Sequence, residues 1–444
     1  MCIAVLAACG KDDGGKDNGG NGKTTDERPA LSALDSGNTM VIYEANPKLF
    51  SQSSALKSIE QNLDRIAGMK VNVLWLMPIY PTGTSKESVG SPYCVKDYNA
   101  VNSAYGSLDD LKSLVSSAHG KGMKVILDWV PNHTAWDHAW ITAHPDWYTQ
   151  DAFGNIVSPR EQNWPDVADL NYNSADMQGA MTAAMGWWID NADVDGFRCD
   201  YAEGVPGSFW SEAIPALRKK KSGLIMLAEG NNADLYKYGF DLVYAWTYAD
   251  NLPAVMKGAS ALSSVFSVAK EDVAGLKDGQ NRMRYIINHD TASENAPATL
   301  YGDAKGAIAG FVLSAFLPGV PMIYSSQEIG YAQKVNFFNY NIMSWSSNEA
   351  VSTEYNKVMG AYSATEKYRG VTPQMLELGK VAGIYYNASG HRLLVMVNCS
   401  TSEQTAKVPI ELSGLTFKDM ISGKSVSLKS SVTLGAHEYV IYTY

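Results

Sequence analysis

The sequence predicts an α/β fold: a (β/α)8 barrel of the TIM type, with an insertion after strand 3 and a C-terminal antiparallel β-sandwich domain. Eight apolar strand candidates occur before about residue 330, and helical patterns lie between most of them. Beyond about residue 370, short strands separated by turn residues replace this alternation. An open doubly wound sheet is the alternative, but no G-x-G-x-x-G motif follows the first strand.

The strand candidates of the barrel are short apolar runs, and Val71–Ile79 has the composition of a strand buried on both faces. Ala55–Met69 and Leu108–His119 carry apolar residues at helical spacing between them. The remaining barrel candidates are Val41–Asn46, Lys124–Val130, Gly196–Asp200, Leu224–Glu229, Asp241–Trp246, Arg284–Asp290 and Val320–Ser325. The C-terminal candidates are Val381–Tyr386, Leu393–Cys399, Thr405–Pro409, Ser425–Leu428 and Tyr439–Tyr444.

Three segments follow from these patterns: residues 1–35, a barrel over residues 36–367 with its insertion at about 133–180, and the β-domain over residues 368–444. The first segment contains Leu6-Ala7-Ala8-Cys9, which resembles the lipobox of bacterial lipoproteins. A Gly-, Asp- and Asn-rich stretch follows it and is typical of a disordered tether. We therefore expect an outer-membrane lipoprotein, at the cell surface or in the periplasm, that is anchored only by a lipid on Cys9.

Composition excludes several classes of function. The formal net charge of −10 argues against a nucleic-acid partner, because phosphate binding requires a basic surface. The five cysteines form no C-x-x-C pair, so a zinc site or a redox motif is not expected. No stretch reaches the roughly 18–20 apolar residues that a membrane span requires.

Four short segments combine charged residues with the ends of predicted barrel strands. They are DWVPNH at 128–133, GFRCD at 196–200, AEG at 228–230 and NHD at 288–290. The carboxyl ends of the strands carry the catalytic residues of such barrels. Because an unpaired buried charge is unfavourable, these carboxylates have little structural reason to be there.

The spacing within two of these segments indicates their chemistry. Arg198 and Asp200 are two residues apart on a strand, so their side chains share a face, and the arginine should lower the pKa of Asp200. Glu229 ends an apolar run, and partial desolvation should raise its pKa. One ionised and one protonated carboxyl suit glycoside hydrolysis. The alternative is a structural Arg–Asp pair with an unrelated glutamate.

The four segments resemble, in the same order, the four sequence regions of the α-amylase superfamily of glycoside hydrolases. DWVPNH resembles the family pattern D-x-V-x-N-H, and GFRCD resembles G-F-R-x-D. The stretches SPYCVKDY, AYGSL, DLNY and GVPMIYSSQEIG are also similar to family sequences. The resemblance covers roughly residues 41–345.

This resemblance implies a retaining hydrolase in which Asp200 is the nucleophile, Glu229 is the general acid/base and Asp290 holds sugar hydroxyls. The carboxyls of Asp200 and Glu229 should then lie about 5–5.5 Å apart. Asp128 would brace the arginine that orients the nucleophile. That arginine is Arg198, and the residues predicted to contact the sugar are Tyr93, His133 and His289.

Two positions match residues that ligate a structural calcium ion (Ca2+) in the family, namely Asn132 and Asp169. The sequence departs from the family downstream of the nucleophile. Many α-amylases have a Lys-His pair there, where this chain has Glu203 and Gly204. The departure puts the calcium site and the neighbouring sugar subsite in question.

The expected function is hydrolysis of α-1,4-glucosidic bonds in starch-like glucans, with an α-glucan polysaccharide or oligosaccharide as the partner. An exo-acting α-glucosidase or a glucanotransferase on the same site is an alternative, and the oligomeric state stays open. A further alternative is an inactive surface glucan-binding protein. It is disfavoured because all three carboxylates are present.

Overall fold

The structure is a computed structural model that describes residues 40–85, 90–160 and 162–444. The predicted lipobox and tether at residues 1–35, including Cys9, lie outside these residues. Among the described residues, no helix has both the length and the apolar character needed to cross a membrane.

Eight parallel strands close into a barrel, as the sequence predicts. In the order β1-β10-β9-β8-β7-β6-β3-β2, each strand pairs with the next, and β2 pairs with β1. These strands are buried along nearly their whole length, which explains their apolar runs. The barrel strands are β1 (Ile42–Ala45), β2 (Val73–Leu76), β3 (Lys124–Trp129), β6 (Gly196–Cys199), β7 (Ile225–Ala228), β8 (Leu242–Tyr244), β9 (Asn281–Arg284) and β10 (Val320–Tyr324).

Helices cover the outside of the barrel, and α3 shows why the sequence forms them. Ser107 and Asp110 form a reciprocal capping box at its start. Its buried residues recur at helical spacing, so one face packs towards the strands. The helices are α1 (Ala55–Gln61), α2 (Leu63–Gly68), α3 (Leu108–Gly120), α4 (Ala139–Ala143), α5 (Ala175–Ala192), α6 (Gly207–Lys220), α7 (Trp246–Met256), α8 (Ser263–Glu271), α9 (His289–Glu294), α10 (Pro297–Tyr301), α11 (Ala304–Phe316) and α12 (Glu349–Ala364).

The predicted insertion follows β3. Within it, β4 (His133–Ala135) pairs antiparallel with β5 (Val167–Asp169). The short helix α4 lies between these two strands, and α5 then returns the chain to the barrel. The insertion therefore extends from the carboxyl end of β3, at the end of the barrel where catalytic loops lie.

The position predicted for the seventh barrel strand was wrong. The sequence places it at Arg284–Asp290, whereas β9 spans Asn281–Arg284. Arg282 and Arg284 are both buried in the strand, and Arg284 Nη1 lies 3.1 Å from Asp272 Oδ2. Asn288 does not end a strand but caps α9, where its side chain accepts from Thr291 N. The apolar residues just before Asn288 are buried, but they are not part of β9.

The C-terminal domain contains two antiparallel sheets. One has six strands in the order β11-β12-β13-β18-β15-β16, and the other pairs β14 with β17. A separate hydrophobic cluster contains side chains from both sheets, including Leu394, Ala406 and Leu434. The strands are β11 (Gln374–Leu378), β12 (Val381–Ala388), β13 (His391–Asn398), β14 (Gln404–Lys407), β15 (Thr416–Asp419), β16 (Ser425–Ser427), β17 (Ser431–Leu434) and β18 (Tyr439–Thr443). Of these, β11, β15 and β17 were not predicted.

Gly196, the first residue of β6, is expected to be intolerant of substitution. Its φ is +150°, and a Cβ there would lie 2.0 Å from the backbone oxygen of Ile225. We expect Gly196→Ala to lower the free energy of unfolding by about 3 kcal/mol or more, because neighbouring backbone would have to move. Urea denaturation measures this change.

Gly360 provides the matched control. It lies within α12, where an added Cβ meets no heavy atom within 4 Å. Gly360→Ala should raise the free energy of unfolding by roughly 0.5–1 kcal/mol, since alanine favours the helix. Equal denaturation midpoints for Gly196→Ala and the wild type would contradict this assignment of close packing at β6.

Candidate active site

Four of the residues predicted to carry chemistry meet at the carboxyl ends of three neighbouring strands, β3, β6 and β7. Asp128 lies on β3 directly opposite Arg198 on β6. Asp200 and Glu229 immediately follow β6 and β7. The ladder continues through their backbones, because Asp200 N donates to Trp129 O at 2.7 Å and Glu229 N to Cys199 O at 2.9 Å. Strand pairing therefore fixes where both acidic side chains begin.

One guanidinium group connects the three acids. Arg198 Nη1 donates to Asp128 Oδ1 at 2.8 Å and to Asp200 Oδ1 at 3.0 Å. Arg198 Nη2 lies 3.0 Å from Glu229 Oε2, as an ion pair without the alignment of a hydrogen bond. The shared face predicted for Arg198 and Asp200 is confirmed, and the structure adds Glu229 to the same cation.

Aromatic rings enclose this cation. The guanidinium carbon of Arg198 lies 5.2 Å from the ring centre of Trp75, 5.7 Å from that of Tyr93 and 5.8 Å from that of Tyr244. Tyr244 also accepts from Arg198 Nε at 3.1 Å, and Trp75 Nε1 donates to Asp128 Oδ2 at 3.1 Å. Arg198 and Asp128 are fully buried, so their interaction is poorly screened by water.

Burial decides the protonation of the acids. It raises the pKa of Asp200 to about 6, although Arg198 acts in the opposite direction. Arg198 lowers this pKa, as expected, but by less than burial raises it. Burial likewise raises the pKa of Glu229 to about 7, because the effect of burial exceeds the opposing effect of Arg198. This agrees with the expectation for a general acid.

The hydrogen bonds of Asp200 and Glu229 differ, and they favour a different protonation state in each acid. Asp200 accepts an aligned, charge-assisted hydrogen bond from Arg198, which favours its ionised form. Glu229 accepts from the backbone N of Tyr201 at 2.6 Å, and this contact and that with Arg198 both fall on Oε2. Oε1 of Glu229 is therefore the oxygen that can carry the acidic proton.

Tyr201 adopts an uncommon backbone conformation to make this contact. Its φ and ψ are 43° and 44°, in the left-handed region that costs a non-glycine residue roughly 1–2 kcal/mol. Gln162 Nε2 donates to the Tyr201 hydroxyl at 2.8 Å, and the ring packs edge-on against Trp164. Gly204 leaves space for this ring, because a Cβ there would lie 1.9 Å from a ring carbon.

The departure from the family at Glu203 and Gly204 thus has a structural explanation. Glu203 Oε1 accepts from the backbone N of Asn231 and, at 2.6 Å, of Asn232. It therefore connects the loop after the predicted nucleophile to the loop after the predicted acid. A cavity of about 220 Å³ lies against these two loops. Its lining includes Glu203, Gly204, Asn232 and Tyr238.

A second cluster adjoins the first through Tyr93. The Tyr93 hydroxyl donates to Asp128 Oδ2 at 3.1 Å and lies 2.9 Å from His289 Nε2. His289 Nε2 is 3.3 Å from Asp290 Oδ2, and its Nδ1 is 2.5 Å from Glu44 Oε1. Burial lowers the pKa of His289, but the charges of Asp290 and Glu44 outweigh burial and raise it to about 9. The side chain of Asp290 is 53% exposed, so it faces solvent.

His133 contacts the same cluster from the insertion. Its Nε2 lies 3.2 Å from the backbone oxygen of Tyr93, and its ring packs edge-on against Trp164. Burial lowers the pKa of His133 to about 4, so the ring is neutral near pH 7 and Nε2 is the donor to Tyr93. The predicted sugar-contacting residues Tyr93, His133 and His289 are therefore linked to one another.

Asn132 and Asp169, the predicted calcium ligands, lie on the base of the insertion. Asp169 is directly opposite His133 in the β4–β5 pair. Its carboxylate bonds Thr149, and it lies within the field of the positive charge of Arg160. Within the described ranges, no three His, Cys, Asp or Glu side chains form a group suited to a metal ion. Calcium takes six to eight oxygen ligands, and amide and backbone carbonyl oxygens are among them, so the calcium site at Asn132 and Asp169 stays a prediction.

Sequence reasoning missed three residues of this site, namely Glu44, Trp75 and Tyr244. Glu44 is a charged residue within the apolar strand β1, which is the same signal that identified Asp128 on β3. Tyr244 likewise ends β8, but a tyrosine at a strand end carries no comparable signal. The left-handed turn at Tyr201 had no sequence signal, since left-handed residues are usually glycine or asparagine.

Comparisons with known proteins agree with this geometry. The family model for the alpha-amylase catalytic domain matches residues 43–383. Alpha-amylase MalA of Haloarcula japonica is 28% identical over a 309-residue alignment that covers 65% of this chain and 44% of MalA. The cyclomaltodextrinase of Geobacillus thermopakistaniensis is 22% identical over a 429-residue alignment that covers 87% of this chain and 70% of that protein. The chain thus spans less than half of the length of MalA.

The fold also agrees closely with that of solved structures. The crystal structure of an alpha-amylase from Lactobacillus plantarum superposes with a TM-score of 0.83 at 25% sequence identity. The match covers 92% of this chain and 100% of that chain. The barrel and the C-terminal β-domain are therefore shared in their arrangement.

Burial of Glu229 should make the stability of the protein depend on pH. Its folded pKa is about 7 against an ordinary 4.5, so the folded state disfavours the anion more than the unfolded chain does. This stability is present below pH 4.5 and is lost as the pH rises towards about 7. Glu229→Gln should therefore raise Tm by about 2–6 °C at pH 8 and by less than about 1 °C at pH 4.

Thermal melting of both proteins at the two pH values measures this difference. Glu212→Gln, on the exposed face of α6, is the control and should leave Tm unchanged within about 1 °C at either pH. A lower Tm for Glu229→Gln than for the wild type at pH 8 would show that burial is not the dominant influence on this acid.

The donor set at Asn132 and Asp169 leads to a prediction about divalent ions. We expect EDTA to change Tm by less than about 2 °C, because Glu203 and Gly204 replace the Lys-His pair that accompanies the calcium site in many α-amylases. A larger loss that is reversed by added calcium, but not by added magnesium, would instead support the calcium site predicted from the sequence.

Proposed function

The chain belongs to the alpha-amylase family of glycoside hydrolases, and on this premise we propose that it hydrolyses α-1,4-glucosidic bonds in starch-like glucans with retention of configuration. One observation carries the proposal: Asp200 and Glu229 share the guanidinium of Arg198 but differ in how they bond to it. A retaining glycosidase requires two such carboxyls close together, with one ionised and the other protonated.

In the first step, the carboxylate of Asp200 attacks the anomeric carbon of the sugar. The bond to the leaving glycosidic oxygen breaks, and that oxygen takes the proton from Glu229 Oε1. The product is an ester between the sugar and Asp200. Arg198 remains bonded to the other oxygen of Asp200, Oδ1, and keeps the carboxylate oriented.

In the second step, the ionised Glu229 takes a proton from water as the water oxygen attacks the anomeric carbon. The ester bond to Asp200 breaks, which restores the ionised nucleophile and the protonated acid. The contacts of Glu229 Oε2 with Tyr201 N and Arg198 stabilise its charge between the two steps. Both acids thus return to their starting states.

The second cluster supports binding of the sugar at the cleavage point. Asp290 is exposed beside His289, and both follow β9 at the barrel end that carries the two acids. Carboxylate and imidazole groups there can bond ring hydroxyls and strengthen these bonds as the transition state forms. Tyr93 stacks on His289 and places a further ring at this side of the site.

Exo-acting hydrolysis and glucan transfer would use the same two carboxyls, so the products distinguish them. We expect soluble starch to give mixed oligosaccharides from the first minutes, as in endo attack. Glucose alone would indicate exo attack, and lengthened maltooligosaccharides would indicate transfer. Pullulan as a parallel substrate reports whether the enzyme accepts α-1,6 bonds next to α-1,4 bonds.

A single substitution connects these products to the proposed acid. Glu229→Gln should lower kcat on starch by at least about 10³-fold, because general acid–base catalysis is lost, while binding of glucan is retained. Glu212→Gln again serves as the control and should keep wild-type activity. Absence of turnover by the wild type on every α-glucan, with binding retained, would support the glucan-binding alternative.

A further inference from the structure

Glu44 has no role in the mechanism above, yet it contacts the site directly. It lies on β1, and its side chain is fully buried. Its Oε1 is 2.5 Å from His289 Nδ1, whereas its Oε2 has no hydrogen-bond partner within the described part of the chain. A buried carboxylate with an unpaired oxygen is unfavourable, so its presence calls for a function.

The hydrogen bonds around His289 define where its protons are. The Tyr93 hydroxyl donates to Asp128, so its oxygen is available to accept from His289 Nε2–H. On the other side of the ring, Nδ1 faces Glu44 Oε1. Burial raises the pKa of Glu44, but the charge of His289 and its hydrogen bond oppose that rise, so Nδ1 donates to a carboxylate. Both ring nitrogens therefore carry hydrogen, which makes His289 a cation.

The charged groups around this ring come from several elements. Glu44 on β1 and Asp290 on α9 favour the cation, and Arg198 on β6 opposes it. Trp75 of β2 and Phe337 contribute uncharged rings that contact His289 edge-on. Because Asp290 is half exposed and Glu44 is fully buried, the charge of Glu44 is screened less by water.

We propose that Glu44 is a positioning residue for the reaction, which holds His289 doubly protonated with its Nε2–H directed towards the sugar side of the site. This inference rests on the proposed function, in which His289 contacts the sugar at the cleavage point. The cation also favours the ionised forms of Asp128 and Asp200. Glu44 thus acts on the nucleophile and the sugar through one ring, without touching either.

Glu44→Gln tests the proposal because it keeps the shape of the side chain and removes its charge. We expect kcat/KM at pH 8 to fall 10- to 100-fold, mostly through kcat (about 1.4 kcal/mol per tenfold change). The loss should be smaller at pH 6, because His289 stays protonated there without Glu44. In NMR titrations, the His289 resonances should titrate at least about one pH unit lower than in the wild type.

Glu328→Gln is the matched control. Glu328 is also a buried carboxylate at this end of the barrel, but it bonds Tyr43 and Arg65 instead of a histidine. Its substitution should lower Tm while leaving the pH profile of kcat/KM and the titration of His289 unchanged. A general effect of removing a buried charge would alter both variants alike and would overturn the proposal.

A double variant provides a second test. If Glu44 acts through His289, adding Glu44→Gln to His289→Gln should lower kcat by less than about twofold beyond the single His289→Gln variant. Independent, multiplicative losses would overturn the proposal. Should Glu44→Gln not fold, the wild-type titration still decides: His289 must remain protonated through pH 8, and titration near pH 6.5 or below would overturn it.

The titration also separates this inference from the proposed function. A wild type without activity on any α-glucan would refute the function, whereas the response of His289 to Glu44→Gln can still be measured in that protein. Conversely, an active enzyme whose His289 titrates identically in the wild type and in Glu44→Gln would refute the inference alone.

Discussion

The buried guanidinium of Arg198 is the interaction on which the rest of the site depends. Its strand lies between the strands that present the other two acids, and its planar group reaches carboxylates from all three. Without this cation, three acidic side chains would be buried together with no cation in direct contact with them, which is strongly unfavourable. Without the acids, Arg198 would be equally unfavourable among its aromatic neighbours. Strand pairing therefore brings the opposite charges together, and Arg198 offsets part of the cost of burying the three acids.

Two opposing influences set the reactivity of these groups. Burial shifts each carboxyl towards its neutral form. Arg198 opposes that shift at all three acids, and His289 opposes it at Asp128 and Asp200. The same pattern extends along a continuous path of hydrogen bonds from Glu44 through His289 and Tyr93 to Asp128 and then to Arg198. Protonation at one end of this path therefore affects charge at the other, and the site behaves as one electrostatic unit with several titrating members.

The sequence predicts the barrel and which charged residues meet at its carboxyl end, because those residues directly follow apolar runs that alternate with helical patterns. It fails where tertiary pairing decides. Strand β9 was misplaced because Arg282 and Arg284 do not read as buried residues until Asp272 is seen beside them. The net pKa of Asp200 could not be inferred from its arginine neighbour, since the extent of burial is a property of the folded barrel. Glu44 was visible in the sequence but had no partner there, because His289 is 245 residues away.

Closure of the barrel joins its first strand along the chain, β1, to its last, β10. Asn46 N donates to Ser325 Oγ at 3.1 Å, although the two residues are 279 positions apart. During synthesis on the ribosome, one edge of β1 therefore stays unpaired until β10 has emerged, and an unpaired edge invites association with other chains. Chaperone capture in this interval would protect the nascent protein, and fragments that end before β10 would retain the exposed edge permanently.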